Sequence, residues 1–457
     1  MKRDDIAALL ERGGLPPDVV AGKVQLLERC ETLASRLGWN RPDHGWWIPG
    51  RLEVFGKHTD YAGGRTLVSA LPRGFILLAT AGYASFPCVT VADAVTGEIA
   101  VSHAAERAGH TSPPVRTREP QPGWAHYVDA VVRRLQRNFS GAPLGAEIVF
   151  ASDLPAAAGM SSSSALMVGL ASALVRVAGI HSRDEWTRNI AGPLDAAAYY
   201  ACIENGATFR ELEGDTGVGT HGGSEDHAAI LCGSAAQLTA FAFVPMRLLA
   251  TVAVPDAWRF LVASSGVRAE KSAGARDAYN ALSRDAAALL QIWNTHESAA
   301  GSLGDALSTG PGAAEHLVSL VHNAVAAGER CDALVRRLTH FVREDGRVPD
   351  AVASFSAGDA ATLSRLAQES QRDAERLLNN QVPATSELAA AAYRLGAIGA
   401  SAFGAGFGGS VWALVERDAA PDFAARWLAA CRPASLPGAT VLEATPGPPL
   451  MPLYWSR

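Results

Sequence analysis

The chain has 457 residues, 48% hydrophobic and 19% charged, with a formal net charge of −6. That length exceeds one ordinary hydrophobic core, so a soluble protein of two domains is expected. The mild negative balance and the lack of a basic tract speak against nucleic acid as a partner.

The start, Met1-Lys2-Arg3-Asp4-Asp5, is charged and lacks the apolar core of a signal peptide. The longest apolar run, around Leu166 to Val177, is too short and too rich in small residues for a membrane helix. Cys30, Cys88, Cys202, Cys232, Cys331 and Cys431 are widely spaced and form no Cys-x-x-Cys pair, so reduced thiols in a cytoplasmic protein are expected. Residues 1–40 carry Ile6, Leu9, Leu10, Val24 and Leu27 at helical spacing. Residues 46–105 alternate apolar runs with turns, which predicts strands over 66–71 and 75–80. A polar, Pro-rich loop over 106–122 precedes a helix from Trp124 to Leu135 and a strand over Ala146–Phe150. Helices fill much of 161–210. Strands near 249–254 and 260–264 then open the second half, which places a domain boundary between 245 and 246. Long Ala/Leu-rich stretches over 275–295, 312–343, 360–380 and 386–397 read as helices, and a final strand pair flanks residues 404–409. The tail Thr445-Pro446-Gly447-Pro448-Pro449 cannot be helical. No internal repeat is visible.

Three loops carry chemistry. The first, Gly50-Arg51-Leu52-Glu53-Val54-Phe55-Gly56-Lys57-His58-Thr59-Asp60-Tyr61-Ala62-Gly63-Gly64, packs cations, a His, an Asp and glycines into one turn. The second, Leu154-Pro155-Ala156-Ala157-Ala158-Gly159-Met160-Ser161-Ser162-Ser163-Ser164-Ala165, follows a strand and opens a helix. Unpaired N–H groups at a helix start attract anions, and Gly159 allows close approach of backbone. A lone Ser161 would read as a cap, but the serine run after Gly159 favours phosphate. The Gly-Lys-Ser/Thr ending of a Walker loop is absent. The third, Gly404-Ala405-Gly406-Phe407-Gly408-Gly409, lacks the following helix and acidic residue of a dinucleotide fingerprint and by itself reads as a tight hairpin.

Together the three loops resemble the motifs of the GHMP kinases, and galactokinases most of all. The first resembles Gly-Arg-x-Asn-x-x-Gly-Glu-His-x-Asp-Tyr-x-Gly-Gly with two substitutions, the second Leu-Pro-x-x-x-Gly-Leu-Ser-Ser-Ser-Ala, the third Gly-Ala-Gly-Phe-Gly-Gly. Ser264-Ser265-Gly266-Val267-Arg268 and Glu369-Ser370-Gln371 also look galactokinase-like. The resemblance spans about residues 45–415. It implies an α/β (α+β) fold of two domains: an N-terminal domain (1–245) like ribosomal protein S5 domain 2 and a ferredoxin-like C-terminal domain (246–457). It also implies ATP and Mg2+ in the cleft and transfer of phosphate to a sugar, at the anomeric hydroxyl.

The family's Gly-x-Met-Asp-Gln stretch corresponds to Gly223-Ser224-Glu225-Asp226-His227, which makes Asp226 the expected base; the bland alternative is a solvated Glu-Asp pair. By resemblance Arg51 lies beside Asp226, a structural ion pair being the alternative. Gly159, Ser161, Ser162, Ser163, Ser164, Gly406 and Gly408 would contact ATP. Ser163 and Glu204 would hold magnesium, with Glu211, Glu213 and Asp215 as competing acids in the insertion 206–221. Asp60 would accept from vicinal sugar hydroxyls. His58 is a second sugar contact or a satisfied loop histidine. Tyr279 is a sugar contact or a half-buried helical tyrosine.

Lys57 stands where the family has Glu, and Glu53 where it has Asn. An ammonium in the pocket would favour an anionic sugar such as a uronic acid; a Lys57–Glu53 pair would cancel that effect. The reading is therefore a galactose-like sugar kinase, monomeric or a weak homodimer, with no nucleic-acid or membrane partner. Its rivals are a non-catalytic sugar- and ATP-sensing relative, and a kinase for a uronic acid or for another small alcohol such as mevalonate or homoserine.

Overall fold

A computed structural model of the chain describes residues 3–82, 88–103, 121–155, 158–267, 273–431 and 439–455. Two helices open it, Arg3–Gly13 and Pro17–Arg36. Ile6, Leu10, Val20 and Leu27 recur at helical spacing and turn one face of each inward. What they cover is a sheet. Its strands are β1 (His44–Phe55), β2 (Arg65–Ala81), β3 (Cys88–Asp93), β4 (Ile99–His103), β5 (Ala146–Ser152), β6 (Gln237–Ala242) and β7 (Arg247–Ala253). A second group follows: β8 (Trp258–Ser264), β9 (Gly399–Phe403), β10 (Ser410–Glu416) and β11 (Thr440–Glu443). The last strand, β12 (Met451–Trp455), returns to the first sheet beside β1.

The first sheet runs β12-β1-β2-β5-β3-β4, with β6 on the other half of the long β2 and β7 beyond it. β3 and β5 are parallel, and the other neighbours are antiparallel. β1 and β2 are buried on both faces because the two-residue period sends alternate side chains to two helical layers. Trp47, Ile76, Leu78 and Val149 meet the N-terminal helices; Trp46, Ile48, Leu77 and Ile148 join the core of the helix Ser162–Val177. The two strands expected over 66–71 and 75–80 are one strand, β2. Gly74 lets it pass under β1, since a Cβ there would sit 2.1 Å from the Ile48 carbonyl.

The second sheet, β11-β8-β10-β9, is antiparallel. One face packs on the helices Pro383–Arg394 and Ala420–Cys431 around Phe423 and Trp427. The other face turns Phe260, Val262, Trp412 and Leu414 into the core of the first domain, where Phe55 meets the edge of Trp412 at 6.0 Å. A third cluster joins Ala273–His296, Ala313–Ala324 and Glu329–Ala357 through Leu289, Trp293, Leu317, Leu334 and Phe341. The helix expected over 312–343 is thus two helices, interrupted before Gly328, whose φ of 142° lies outside the helical range.

The expected boundary at 245/246 is corrected by strand pairing. β7 bonds to β6, so the first sheet continues to Ala253, and β12 closes its β1 edge. Pairing between distant segments leaves no local mark in composition. The loop expected at 106–122 lies outside the described residues except for Gln121 and Pro122, and Arg268 and Cys431 also carry no described side chain. Cys30, Cys88, Cys202, Cys232 and Cys331 are free thiols. Among the described residues no helix is long and apolar enough to cross a membrane.

Leu453 on β12 is buried in the core beneath the N-terminal helices. Leu453→Ala is expected to cost about 2–5 kcal/mol, read as a lower urea midpoint. An unchanged midpoint would remove β12 from the cooperative fold.

Candidate active site

The three glycine- and serine-bearing loops converge on one pocket. After β1 the chain turns at Gly56-Lys57-His58 into a short 3-10 turn, Asp60–Ala62. Gly159 to Ser161 leads into the helix Ser162–Val177, and residues 404–409 join β9 to β10. The helix Glu225–Cys232 supplies the inner wall. His58, Ser161 and Phe407, one in each loop, hold positive φ of 58°, 61° and 58°. Non-glycine residues in that region store strain of about 1–3 kcal/mol each, which only the surrounding contacts can hold.

Arg51 is the centre of the wall. Its Nε donates to Asp226 Oδ1 at 2.6 Å and its Nη1 to the Gly159 carbonyl at 3.1 Å. Its Nη2 faces Glu225 Oε1 at 3.1 Å and Glu53 Oε2 at 3.5 Å. Burial alone would raise the Asp226 carboxyl. The Arg51 guanidinium and His227 outweigh it and hold Asp226 below the ordinary carboxylate range.

Ser164 donates its hydroxyl within reach of both Glu204 Oε2 (2.9 Å) and Asp226 Oδ2 (3.1 Å). Ser163 lines the pocket, but the serine that meets Glu204 is Ser164. The competing acids fall elsewhere. Glu213 pairs with Arg137, Asp215 with Arg133, and Glu211 is exposed. The insertion folds back on itself, with Asp215 N–H donating to the Gly206 carbonyl, so it does not displace Glu204.

Asp60 lines the pocket and accepts from the Glu225 N–H at 3.0 Å. Gly223 is required beside it, because a Cβ would lie 2.0 Å from the Asp60 carboxylate. Tyr279, from the helix Ala273–His296, also reaches the pocket and lies 5.4 Å from the His58 ring. Tyr279 is thus a half-buried helical tyrosine at the pocket wall.

Two expected sugar contacts are corrected. His58 borders the pocket, yet both ring nitrogens are committed, Nδ1 to the Tyr61 hydroxyl (3.0 Å) and Nε2 to the Ala405 carbonyl (3.1 Å). Burial, then the nearby Arg337, hold its pKa down to about 3, so it is neutral. It fastens the first loop to the third. Lys57 does not line the pocket. Its ammonium turns to the second domain and donates to Ser370 Oγ (2.6 Å) and Ser401 Oγ (2.8 Å). Ser370 in turn donates to Glu344 Oε1 at 2.9 Å. Burial would raise Glu344, but Lys57 and Arg347 bring it down to about 2. The charge reversal at Lys57 is therefore answered by an acid on a helix almost three hundred positions away, which no local reading could pair with it.

Glu225 and Asn380 are residues at the site that the sequence reading did not assign, and Ser164, expected only as an ATP contact, is the serine that bonds to Glu204. Asn380 accepts the Phe407 N–H at 2.6 Å and holds the third loop. Gly406 meets the same residue with φ +82° and no room for a Cβ, which would approach Asn380 to 2.4 Å. The available signal for Glu225 was a carboxylate at a position where the family has Met.

Comparison with known proteins gives a consistent picture. The model of the GHMP kinases N terminal domain matches residues 126–206, that of the GHMP kinases C terminal matches 351–432, and the galactokinase galactose-binding signature matches 36–81. The galactokinase of Mycobacterium bovis (strain BCG / Pasteur 1173P2) is 29% identical over 384 residues, covering 82% of this chain and 90% of that one. That of Streptomyces coelicolor is 28% identical over 396 residues, covering 82% and 85%. The crystal structure of Lactococcus lactis galactokinase complexed with galactose shares the fold, with a TM-score of 0.71, 21% identity, and coverage of 93% of this chain and 99% of that one.

Lys57→Met should leave buried hydroxyl and carboxylate groups short of a donor. The expected cost is about 1–3 kcal/mol, read by chemical unfolding, without a change in sugar selectivity. A variant of unchanged stability and altered selectivity would return Lys57 to the pocket.

Proposed function

We propose that this chain, a member of the GHMP kinase superfamily, transfers the γ-phosphoryl group of ATP to the anomeric hydroxyl of a galactose-like monosaccharide. The observation that carries this reading is the Arg51–Asp226 ion pair, 2.6 Å long, set between the serine helix and the glycine hairpin. Phosphoryl transfer asks mainly for alignment and charge neutralisation. The first turn of the helix Ser162–Val177 and the backbone around Gly406 and Gly408 offer N–H groups to phosphate oxygens. Asp226, kept ionised, orients the attacking hydroxyl and takes its proton late in the transfer. Arg51 holds Asp226 in place and stabilises charge on the moving phosphoryl group.

On the sugar side, Asp60 accepts from hydroxyls and Tyr279 offers a ring and a phenol. With Lys57 turned away and Glu53, Asp60 and Glu225 in the wall, a neutral sugar fits better than a uronic acid, whose carboxylate would face other carboxylates.

The donor set fits a magnesium ion. Glu204 and Ser164 present oxygen only, with Ser163 beside them at the helix start, and magnesium takes one or two carboxylates together with substrate phosphates. Among the described residues no cluster of three His, Cys or acidic ligands gathers, as a zinc site would need. When bound, magnesium would screen phosphate charge, with Glu204 and the two serines as its protein ligands.

Asp226→Asn is expected to lower kcat by about 10²–10⁴-fold while nucleotide titration stays close to wild type. Retention of more than about half of kcat would place the proton acceptor elsewhere. An ADP-release assay should give a higher kcat/KM with galactose than with galacturonate; the reverse order would overturn the neutral-sugar reading. Gly159 sits at φ +74°. A branched residue is strained there, so Gly159→Val should weaken nucleotide binding in a folded protein. Unchanged nucleotide affinity would remove this loop from the phosphate site.

A further inference from the structure

Among the described residues, the inner wall of the pocket holds several acids against one guanidinium. Glu53, Asp60, Glu225 and Asp226 all line it, together with Arg51. Glu53 and Glu225 are 2% and 5% exposed, and both face the same nitrogen, Arg51 Nη2. Arg51 Nε is held by Asp226 and Nη1 donates to the Gly159 carbonyl, so Nη2 is the nitrogen that both carboxyls face. Glu53 Oε2 also accepts the Gly404 N–H at 2.8 Å. Its Oε1 is buried and receives no N–H or hydroxyl donor, and the Glu225 carboxyl lies against the same Arg51 nitrogen. A buried carboxylate oxygen without a donor is costly, and two adjacent buried carboxylates cannot both ionise. One proton between them resolves both difficulties.

The sequence points to the same place independently. Glu53 and Glu225 stand where the family pattern has Asn and Met, two uncharged residues. The two departures lie 172 positions apart (225 − 53) and meet on one guanidinium nitrogen.

We propose that Glu53 and Glu225 share a single proton and act together as the positioning pair for Arg51, keeping its guanidinium on Asp226 and limiting the negative charge that a polyphosphate meets in the wall. The surroundings put that proton on Glu225. Burial, then the charge on Glu53, pushes the Glu225 carboxyl well above the ordinary range against the pull of Arg51, with Asp60 and Asp226 pushing the same way. Burial raises Glu53 as well, but Arg51, Lys57 and the Gly404 N–H oppose it, so it is raised less than Glu225. Among the described residues, the charged groups that face the pair are Arg51 on β1, Lys57 after it, Asp60 in the 3-10 turn and Asp226, next to Glu225 on the same helix.

As pH rises through the pKa of the pair, the shared proton leaves. A second negative charge then competes with Asp226 for Arg51 and repels phosphate. Activity therefore holds from the pH at which Asp226 is ionised up to the pKa of the pair and falls above it. The role in turnover rests on the phosphotransfer reading; the shared proton does not.

Infrared spectroscopy of the ligand-free protein in D₂O near neutral pH reads the proton directly. The carbonyl stretch of a protonated carboxyl is expected in wild type and should lose one carboxyl's intensity in Glu225→Gln and in Glu53→Gln. No difference between wild type and both folded variants overturns the shared proton. The second measurement is kcat/KM for galactose against pH. Wild type should show an alkaline limb falling about tenfold per pH unit, and Glu225→Gln, whose amide is a permanent donor to Glu53, should lack it. If the infrared band is lost but the limb is the same in both proteins, the pair does not position Arg51. If the band behaves as expected and no sugar is turned over, the shared proton stands and the kinase reading fails.

Discussion

The pocket depends on one buried guanidinium. Arg51 extends from the middle of β1 and spends each of its nitrogens on a different partner: Asp226 on the inner helix, the carbonyl of Gly159 in the loop before the serine helix, and the Glu53 and Glu225 carboxyls. A buried cation is tolerated only where its donors are used and its charge is answered. Strand, loop and helix must therefore arrive in register for Arg51 to be accommodated at all. The long β1–β2 ladder, enclosed by helical layers on both faces, makes this possible by fixing the Arg51 backbone.

The second domain completes the arrangement by bonding to the first loop. His58 Nε2 donates to the Ala405 carbonyl, and Arg337 Nη2 donates to the His58 carbonyl at 2.5 Å. Lys57 reaches Ser370 and Ser401, while the Gly56 N–H donates to Glu344 at 3.0 Å. Asn380 fixes the glycine hairpin from the far side. These contacts hold His58 and Phe407 in left-handed backbone that their side chains disfavour. The loop that presents Asp60 is accordingly built into the junction of the two domains, with its geometry set before a substrate arrives.

Charge is distributed by the same logic. The cations near the first loop, Lys57 and Arg337, are consumed by backbone carbonyls, hydroxyls and the Glu344 network, and among the described residues Arg51 is the Lys or Arg that lines the pocket. The end that holds Asp60 and Tyr279 is left rich in hydrogen-bond acceptors, which would suit a polyhydroxylated neutral molecule. The end at Gly159 and Gly406 is left to helix-start and hairpin N–H groups, which can bind anions without adding a formal charge.

The loops and their order were legible in the amino-acid sequence, because glycines at strained turns and a serine run at a helix start are each encoded over a few neighbouring residues; the Arg51–Asp226 pair, 175 positions apart, was legible only through the family resemblance. The strands and most helices were legible for the same local reason, through the periods of their apolar residues. What needed the tertiary structure was every relation between distant segments. β7 belongs to the first sheet and β12 returns to it, because strand pairing is decided by backbone partners far away. Lys57 reads as a pocket cation until Ser370, Ser401 and Glu344 are placed around it. Glu225 reads as a solvated neighbour of Asp226 until Glu53 and Arg51 are found against it. A charged side chain in a motif states only what it can bond to. Burial, and the partner that folding brings within about 3 Å, decide what it does.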